Sequence, residues 1–524
     1  MQYVPPPHLT QHWHLTKPAA RGRRGVVVSQ SRDAAEAGVA VLDAGGNAID
    51  AAVATALALA AVEPWNSGLG GIGFALVHRA GEDRAEVVDF GPVAPRGLDP
   101  SRFKLTGRMI RDLFAWPEVE GNANVHGPLS FAIPSAPAGY AFMHARWGKL
   151  PFREVIAPAI ALARRGLPQD WFTTLKIANA ASVLRLYSES ARIYLPDGLP
   201  PVPPYQGTPG FFPLGNLANT LEQLARAGLR DFYEGEVARA IAADVAEMGG
   251  VLSAEDLRRC QARPREATEV AWRGRTLQLT GGLTAAPTLV RVLERMVAAP
   301  YEDRPSPAWY VALARAMKAA YAERLSGLGE TEPPGADSCT THLTVCDADG
   351  SMVALTSTLL SSMGSRVVLP RSGVLMNNGV MWFDPRPGQP NSIAPGKRPL
   401  TNMLPVILKE GARPWIAAGA SGGRRILAAV FQTVTYAADF TMRLEEAAHH
   451  PRIDVSDAEK VSVDRRMPGA VIEALRDDGP VEVVEHAVLP INFACPNLVA
   501  QNADGTRTGI SDAASPWSAA VAQE

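Results

Sequence analysis

The chain has 524 residues, 47% of them hydrophobic and 20% charged, enough for about three domains of ~150 residues or one large composite fold, and collagen-like, coiled-coil and disordered classes are excluded. Its 51 Lys+Arg against 53 Asp+Glu leave a formal charge of -2, so no general basic field exists to hold nucleic acid or an anionic membrane surface. Cys260, Cys339, Cys346 and Cys495 are too few and too scattered for a disulfide framework or a zinc cluster, and read as small buried residues in a reducing compartment.

The opening stretch MQYVPPPHLTQHWHLTKPAARGRR has three consecutive prolines and no apolar core of a signal peptide, so the expected location is cytoplasmic. Residues 33–42 follow a helical period that ends at Gly45-Gly46. A second helix is expected over 47–62, stopping at Pro64; its apolar run falls short of the ~20 residues of a membrane span. Gly68, Gly70 and Gly73 then satisfy G-x-G-x-x-G, but a helix precedes them and a strand, 74–78, follows. A dinucleotide site needs the reverse order, so these glycines read as close backbone packing. A strand at 85–90 and helices at 139–147 and 152–165 come next. Residues 195–213 hold seven prolines and three glycines and read as an irregular surface loop. Helical patterning resumes at 219–227 and 234–248; Ser253 with Asp256 forms a capping box for a short helix ending near Cys260. Helices at 289–297 and 308–324 complete a helix-rich first part.

From Leu325 the pattern turns polar, SGLGETEPPGADSC, and then strand-like. THLTVCDADGSMVALTST alternates apolar and polar residues about Asp349-Gly350, the signature of a hairpin. Further strands are expected at 373–376, 404–409 and 415–419, with a Pro-rich loop over 385–399 and one helix over 425–440. A helix-flanked pair of sheets drawing on both sides of the linker is the expected architecture.

Thr340 heads the first strand after the linker. A threonine hydroxyl needs an adjoining base, and the neatest is its own α-amine, with a pKa near ~7.7–8.0, which becomes free only if the Cys339–Thr340 bond is cut. On the return strand, Thr356-Ser357-Thr358 brings a hydroxyl across from Thr340. Gly419-Ala420-Ser421-Gly422-Gly423 follows a strand and opens a helix, so successive N–H groups can face one point and hold an oxyanion. His12 and His14 flank Trp13, and His449 and His450 are adjacent. Helix-borne zinc ligands recur at i, i+4, so neither a metal nor another cofactor is expected.

Four stretches together resemble the γ-glutamyltransferase family of N-terminal-nucleophile hydrolases: GVVVSQSRDAAEAGVAVLDAGGNAIDAAVATALALAAVEPWNSGLGGIGF, TTHLTVCDADGSMVALTST, PNSIAPGKRPLTNMLPVI and GASGGRRI. The resemblance runs from about Arg24 to beyond Asp454. It implies a four-layer αββα sandwich and a precursor that cuts itself into a large subunit, 1–339, and a small one, 340–524, which together form one composite domain. It also implies Thr340 as nucleophile, Thr358 as the hydroxyl that orients it, and Gly422 and Gly423 as oxyanion donors.

The departures concern the substrate head group. The family holds an α-carboxylate with an arginine after Asp-Phe and with two serines after Lys-Arg-Pro-Leu; here those positions are Gly91, Thr401 and Asn402. It holds the α-amine with an asparagine, a glutamine and an aspartate where this chain has Leu360, Gly379 and Trp382. An ammonium buried against Leu360 and Trp382 would lose hydration without replacement. The expected substrate is therefore a small amide with a neutral or apolar acyl part, or an acid held by another cation, for which Arg366 and Arg424 are candidates. Among family members, oxamate amidohydrolases fit the length better than cephalosporin acylases. A true γ-glutamyl hydrolase or transferase, and an unprocessed binding protein, are the alternative readings. The two subunits are the expected assembly, with a higher oligomer left open and no nucleic-acid or membrane partner.

Overall fold

Alternation along the strands assigns each side chain to one of two layers. The computed structural model describes residues 15–109, 116–328, 339–457, 459–489 and 491–524. Two seven-stranded antiparallel sheets lie face to face. The first runs in the order Ala519–Gln523, Gly25–Ser29, Cys339–Cys346, Met352–Leu360, Ile72–His78, Glu86–Phe90, Arg263–Glu266. The second runs Ala20–Gly22, Arg507–Ser511, Cys495–Gln501, Arg413–Ser421, Val406–Glu410, Arg275–Leu279, Thr268–Trp272. Val26, Val28, Leu76, Met352 and Ala354 of the first sheet meet Ile407, Ala417 and Val499 of the second in an apolar layer between them. The alternate residues Val27, Val77, Leu343, Val345 and Leu355 face outward onto helices Arg32–Asp43 and Ala48–Val62. On the far side, Leu277, Leu408, Ile416 and Leu498 pack against helices Ala286–Met296, Pro307–Leu328 and Ile426–Ala438. This is the expected αββα sandwich, and each sheet mixes strands from before and after residue 339.

The helix Ala48–Val62 is buried over its whole length, and its start is fixed by a capping box between Asn47 and Asp50. No helix among the described residues is long and apolar enough to cross a membrane. Ser253 and Asp256 form the expected capping box of helix Ala254–Arg258. The glycines of the G-x-G-x-x-G run pack backbone to backbone: a Cβ on Gly70 would lie 2.1 Å from the Leu375 carbonyl oxygen, and one on Gly73 would lie 2.2 Å from that of Thr356.

Three expectations are corrected. Residues 373–376 make only isolated bridges, Val368 with Leu375 and Gly70 with Met376, because Gly373 turns the chain at φ 68 and leaves no run for a ladder. The helix before the linker continues past Leu325 to Leu328; the rest of the linker, 329–338, lies outside the described residues, as do His12 and His14. The sequence reading also omits the helices Trp171–Leu184 and Ser188–Tyr194 and the last three strands, from Cys495 to Gln523. Strands Cys495–Gln501 and Arg507–Ser511 are buried on both faces, so no apolar-polar alternation marks them.

Candidate active site

The hairpin of Cys339–Cys346 and Met352–Leu360 turns at Gly350, whose φ of 93 suits the turn. Its register is regular from Cys346↔Met352 to Thr341↔Ser357, then shifts, with Cys339 opposite Leu360. Thr358 and Leu359 together thus oppose Thr340, a bulge that re-aims side chains at the strand end. Thr340 and Thr358 are both buried, and the Thr340 hydroxyl donates to Thr358 Oγ1 at 3.5 Å. Thr358 Oγ1 also accepts from the Leu360 N–H at 2.8 Å, which fixes the second hydroxyl in place.

Alternation sends His342 toward the other sheet, where it meets Arg413–Ser421. A Cβ on Gly419 would fall 2.2 Å from the His342 ring, so glycine is what lets that strand cross so closely. The imidazole is fully buried, with Nδ1 2.9 Å from Thr356 Oγ1, and burial lowers its pKa to about 3. It stays neutral and serves packing. The same crossing carries the end of strand Arg413–Ser421 to the Thr340 end of the hairpin. There Gly422 and Gly423 take φ 137 and φ 58 and lead through a short turn into helix Ile426–Ala438. A Cβ on Gly422 would lie 2.7 Å from Ala494 Cα and Cβ, so both conformation and space require glycine. Gln30 Nε2 donates to the Ser421 hydroxyl and ties this turn to the first sheet.

Thr340 and Gly422 line one cavity of about 200 Å³, together with Glu63, Lys176, Arg366 and Arg425. Glu63 follows the last residue of helix Ala48–Val62 and is buried. Its carboxyl accepts from Thr341 Oγ1 at 2.7 Å and from Asn66 Nδ2 at 2.6 Å. Burial raises its pKa to about 7, against these hydrogen bonds and the charge of Lys176. Arg366 sits at φ 62 and donates to the carbonyls of Gly364 and Val125. Arg424 does not line the cavity: its guanidinium lies over the Tyr321 ring at 5.6 Å. Arg425 lines it instead, with Nη1 donating to the Ile491 carbonyl at 2.8 Å. Glu63, Lys176 and Arg425 were missed by sequence reasoning. Of these, only Arg425, beside a residue already singled out, could have been found from the motif.

The head-group positions are occupied by other contacts. Leu360 and Trp382 are buried in an apolar cluster with Ile72, Phe74, Trp116, Val125, Met381 and Met403. Gly379 has Ala132 Cβ 2.6 Å from where its own Cβ would be, and Gly91 has Phe74 Cζ at 2.5 Å and Arg398 Nη2 at 2.9 Å. Gly91 lines a different cavity, beside Arg398, whose guanidinium pairs with Asp89. The Thr401 hydroxyl donates to the Leu283 carbonyl at 3.0 Å. Arg324 donates to the Thr401 carbonyl at 2.6 Å and to Asn402 Oδ1 at 3.3 Å. His449 bonds the Lys17 backbone through Nε2, and the His450 ring stands against Tyr436 at 4.7 Å.

Two facing antiparallel sheets between helix layers, with Thr340 heading an interior strand, define an N-terminal-nucleophile hydrolase fold. The cephalosporin acylase of Bacillus halodurans superposes on it with a TM-score of 0.84 at 23% identity, over 100% of both chains. The gamma-glutamyltranspeptidase family model matches residues 34–337 and 330–520, and the chain belongs to that family. The acylase ACY 1 proenzyme of Pseudomonas sp. (strain SE83) is 31% identical over 97% of this chain and 95% of its own length. The glutathione hydrolase proenzyme of Escherichia coli (strain K12) is 30% identical over 82% of this chain and 81% of its own.

Proposed function

We propose that the chain is a self-processed, cofactor-free amidohydrolase or acyltransferase with Thr340 as its nucleophile. The observation that carries this reading is that Thr340, whose hydroxyl donates to Thr358 behind it, and the Gly422 turn line one cavity. In the uncut chain, Thr340 Oγ1 attacks the Cys339 carbonyl carbon. The C–N bond breaks as the Thr340 nitrogen takes up a proton, leaving an ester that water hydrolyses to a Cys339 carboxylate and a free Thr340 amine. That amine then takes the hydroxyl proton as Thr340 attacks a substrate amide. The Gly422 and Gly423 N–H groups, at the positive end of a helix, receive the oxyanion. The leaving amine departs with the proton, and water or a second amine takes the acyl group.

Relatives named as proenzymes support the processing step. The relative named acylase supports cleavage of an acyl group, and the burial of Leu360 and Trp382 among apolar neighbours supports an acyl part without the α-amino head group. A γ-glutamyl substrate is the second reading, favoured by the relative named glutathione hydrolase. We place the enzyme in the cytoplasm, where buried free thiols such as Cys260, Cys346 and Cys495 persist. Denaturing electrophoresis with mass spectrometry tests the core of the proposal. Purified protein should run as fragments 1–339 and 340–524, and Thr340→Ala should stay one chain. A wild type that remains whole after long incubation overturns it.

A further inference from the structure

The helix Trp171–Leu184 brings Phe172, Lys176 and Asn179, at i, i+4 and i+7, to the cavity that holds Thr340. Lys176 is 9% exposed. Its ammonium makes no hydrogen bond or close ion pair among the described residues; the Phe172 ring lies 5.2 Å from Nζ, and Glu63 is near enough to feel its charge. An ammonium withdrawn from water without a hydrogen bond is unfavourable, and the cavity lining holds more cations than acids. Arg366 and Arg425 line it too, Arg366 donating to the Gly364 carbonyl and Arg425 to that of Ile491. Glu63 is the one acid among the lining residues. Its oxygens are engaged by Thr341 and Asn66, and burial raises its pKa to about 7.

We propose that Lys176 anchors a carboxylate carried by the substrate, so that the cavity selects anionic amides over neutral ones. A lysine suits this role because its ammonium is a compact point charge that pairs with a carboxylate from several directions. The Phe172 ring beside it gives the anchor an apolar wall. This inference rests on the reading of Thr340 for the bond that reacts, but the binding itself needs no reaction.

The acid can stand on the acyl side or on the amine side of the scissile bond, and two probes separate these. The uncut Thr340→Ala chain is titrated calorimetrically with glutaramate, an acyl-side acid, and with N-butyrylglycine, an amine-side acid. Each is compared with the amide bearing a methyl group in place of the carboxylate. One acid should bind at least tenfold more tightly than its methyl counterpart, and which one does assigns the side. Adding Lys176→Met should bring that ratio to within threefold of unity, whereas Lys176→Arg should keep most of it. Lys176→Gln serves as the second neutral variant should Lys176→Met fold poorly. A ratio that survives loss of the ammonium, or the absence of any acid preference, overturns the proposal. A wild-type chain that never cuts itself would instead remove the Thr340 mechanism and leave this binding result standing.

Discussion

Glu63 shows how one side chain's surroundings set a measurable property. Its pKa is raised from 4.5 to about 7, with desolvation outweighing the hydrogen bonds from Thr341 and Asn66 and the pull of Lys176. A carboxyl raised in the folded state stabilises the fold while both states are protonated, below about pH 4.5, and that contribution is lost as pH rises through 7. The shift corresponds to a loss on the order of 3 kcal/mol across that window. Glu63→Gln, which mimics the protonated form, should therefore be less pH-sensitive than the wild type and gain on it as pH rises from 4.5 to 8. Urea midpoints of both proteins across this range check it, and parallel curves would mean that the carboxyl ionises freely in the fold. Nothing in the sequence marks this residue. Asn66 is three residues on, but the other groups around it come from residue 341 and from helix Trp171–Leu184, and only the tertiary fold gathers them.

Among elements, the hairpin of Cys339–Cys346 and Met352–Leu360 does more than a regular ladder would. Its bulge sets Thr358 opposite Thr340, and the Leu360 N–H pins the Thr358 hydroxyl. If that hydroxyl orients the nucleophile, Thr358→Ala should slow both self-cleavage and turnover by roughly 10²-fold, the scale of a lost positioned partner. Thr358→Ser should be much milder because it keeps the oxygen. Small and equal effects on the rate of fragment appearance would reduce Thr358 to a strand residue. The alternation about Asp349-Gly350 made this hairpin legible, and helices with an apolar stripe, such as Phe152–Arg165, were legible for the same reason. Helix Trp171–Leu184 was not, since its apolar and polar residues do not separate into faces, and strands Cys495–Gln501 and Arg507–Ser511 were not, since burial on both sides removes alternation. Motif and resemblance therefore reached Thr340, Thr358 and the glycine turn. They did not reach Lys176 or Glu63, and of the two paired arginines they chose 424 where the cavity holds 425.

At the scale of the whole molecule, the two segments on either side of residue 339 are interleaved. The first sheet sets Cys339–Cys346 and Met352–Leu360 between Gly25–Ser29 and Ile72–His78, and the second joins Arg275–Leu279 to Val406–Glu410. Fragments 1–339 and 340–524 should therefore stay together after cleavage. They should co-elute in gel filtration and separate only in denaturant, and 1–339 expressed alone, lacking the middle of both sheets, should be insoluble. Elution of two separate folded species would contradict this sheet order. The same interleaving bears on inheritance. A crossover at codon 339 between two diverged genes of this architecture would pair strands of one lineage with strands of the other at several edges at once, in registers neither had matched. The point at which we propose that the polypeptide cuts itself is thus one of the worst places to divide its gene, and the two segments are constrained to vary in concert.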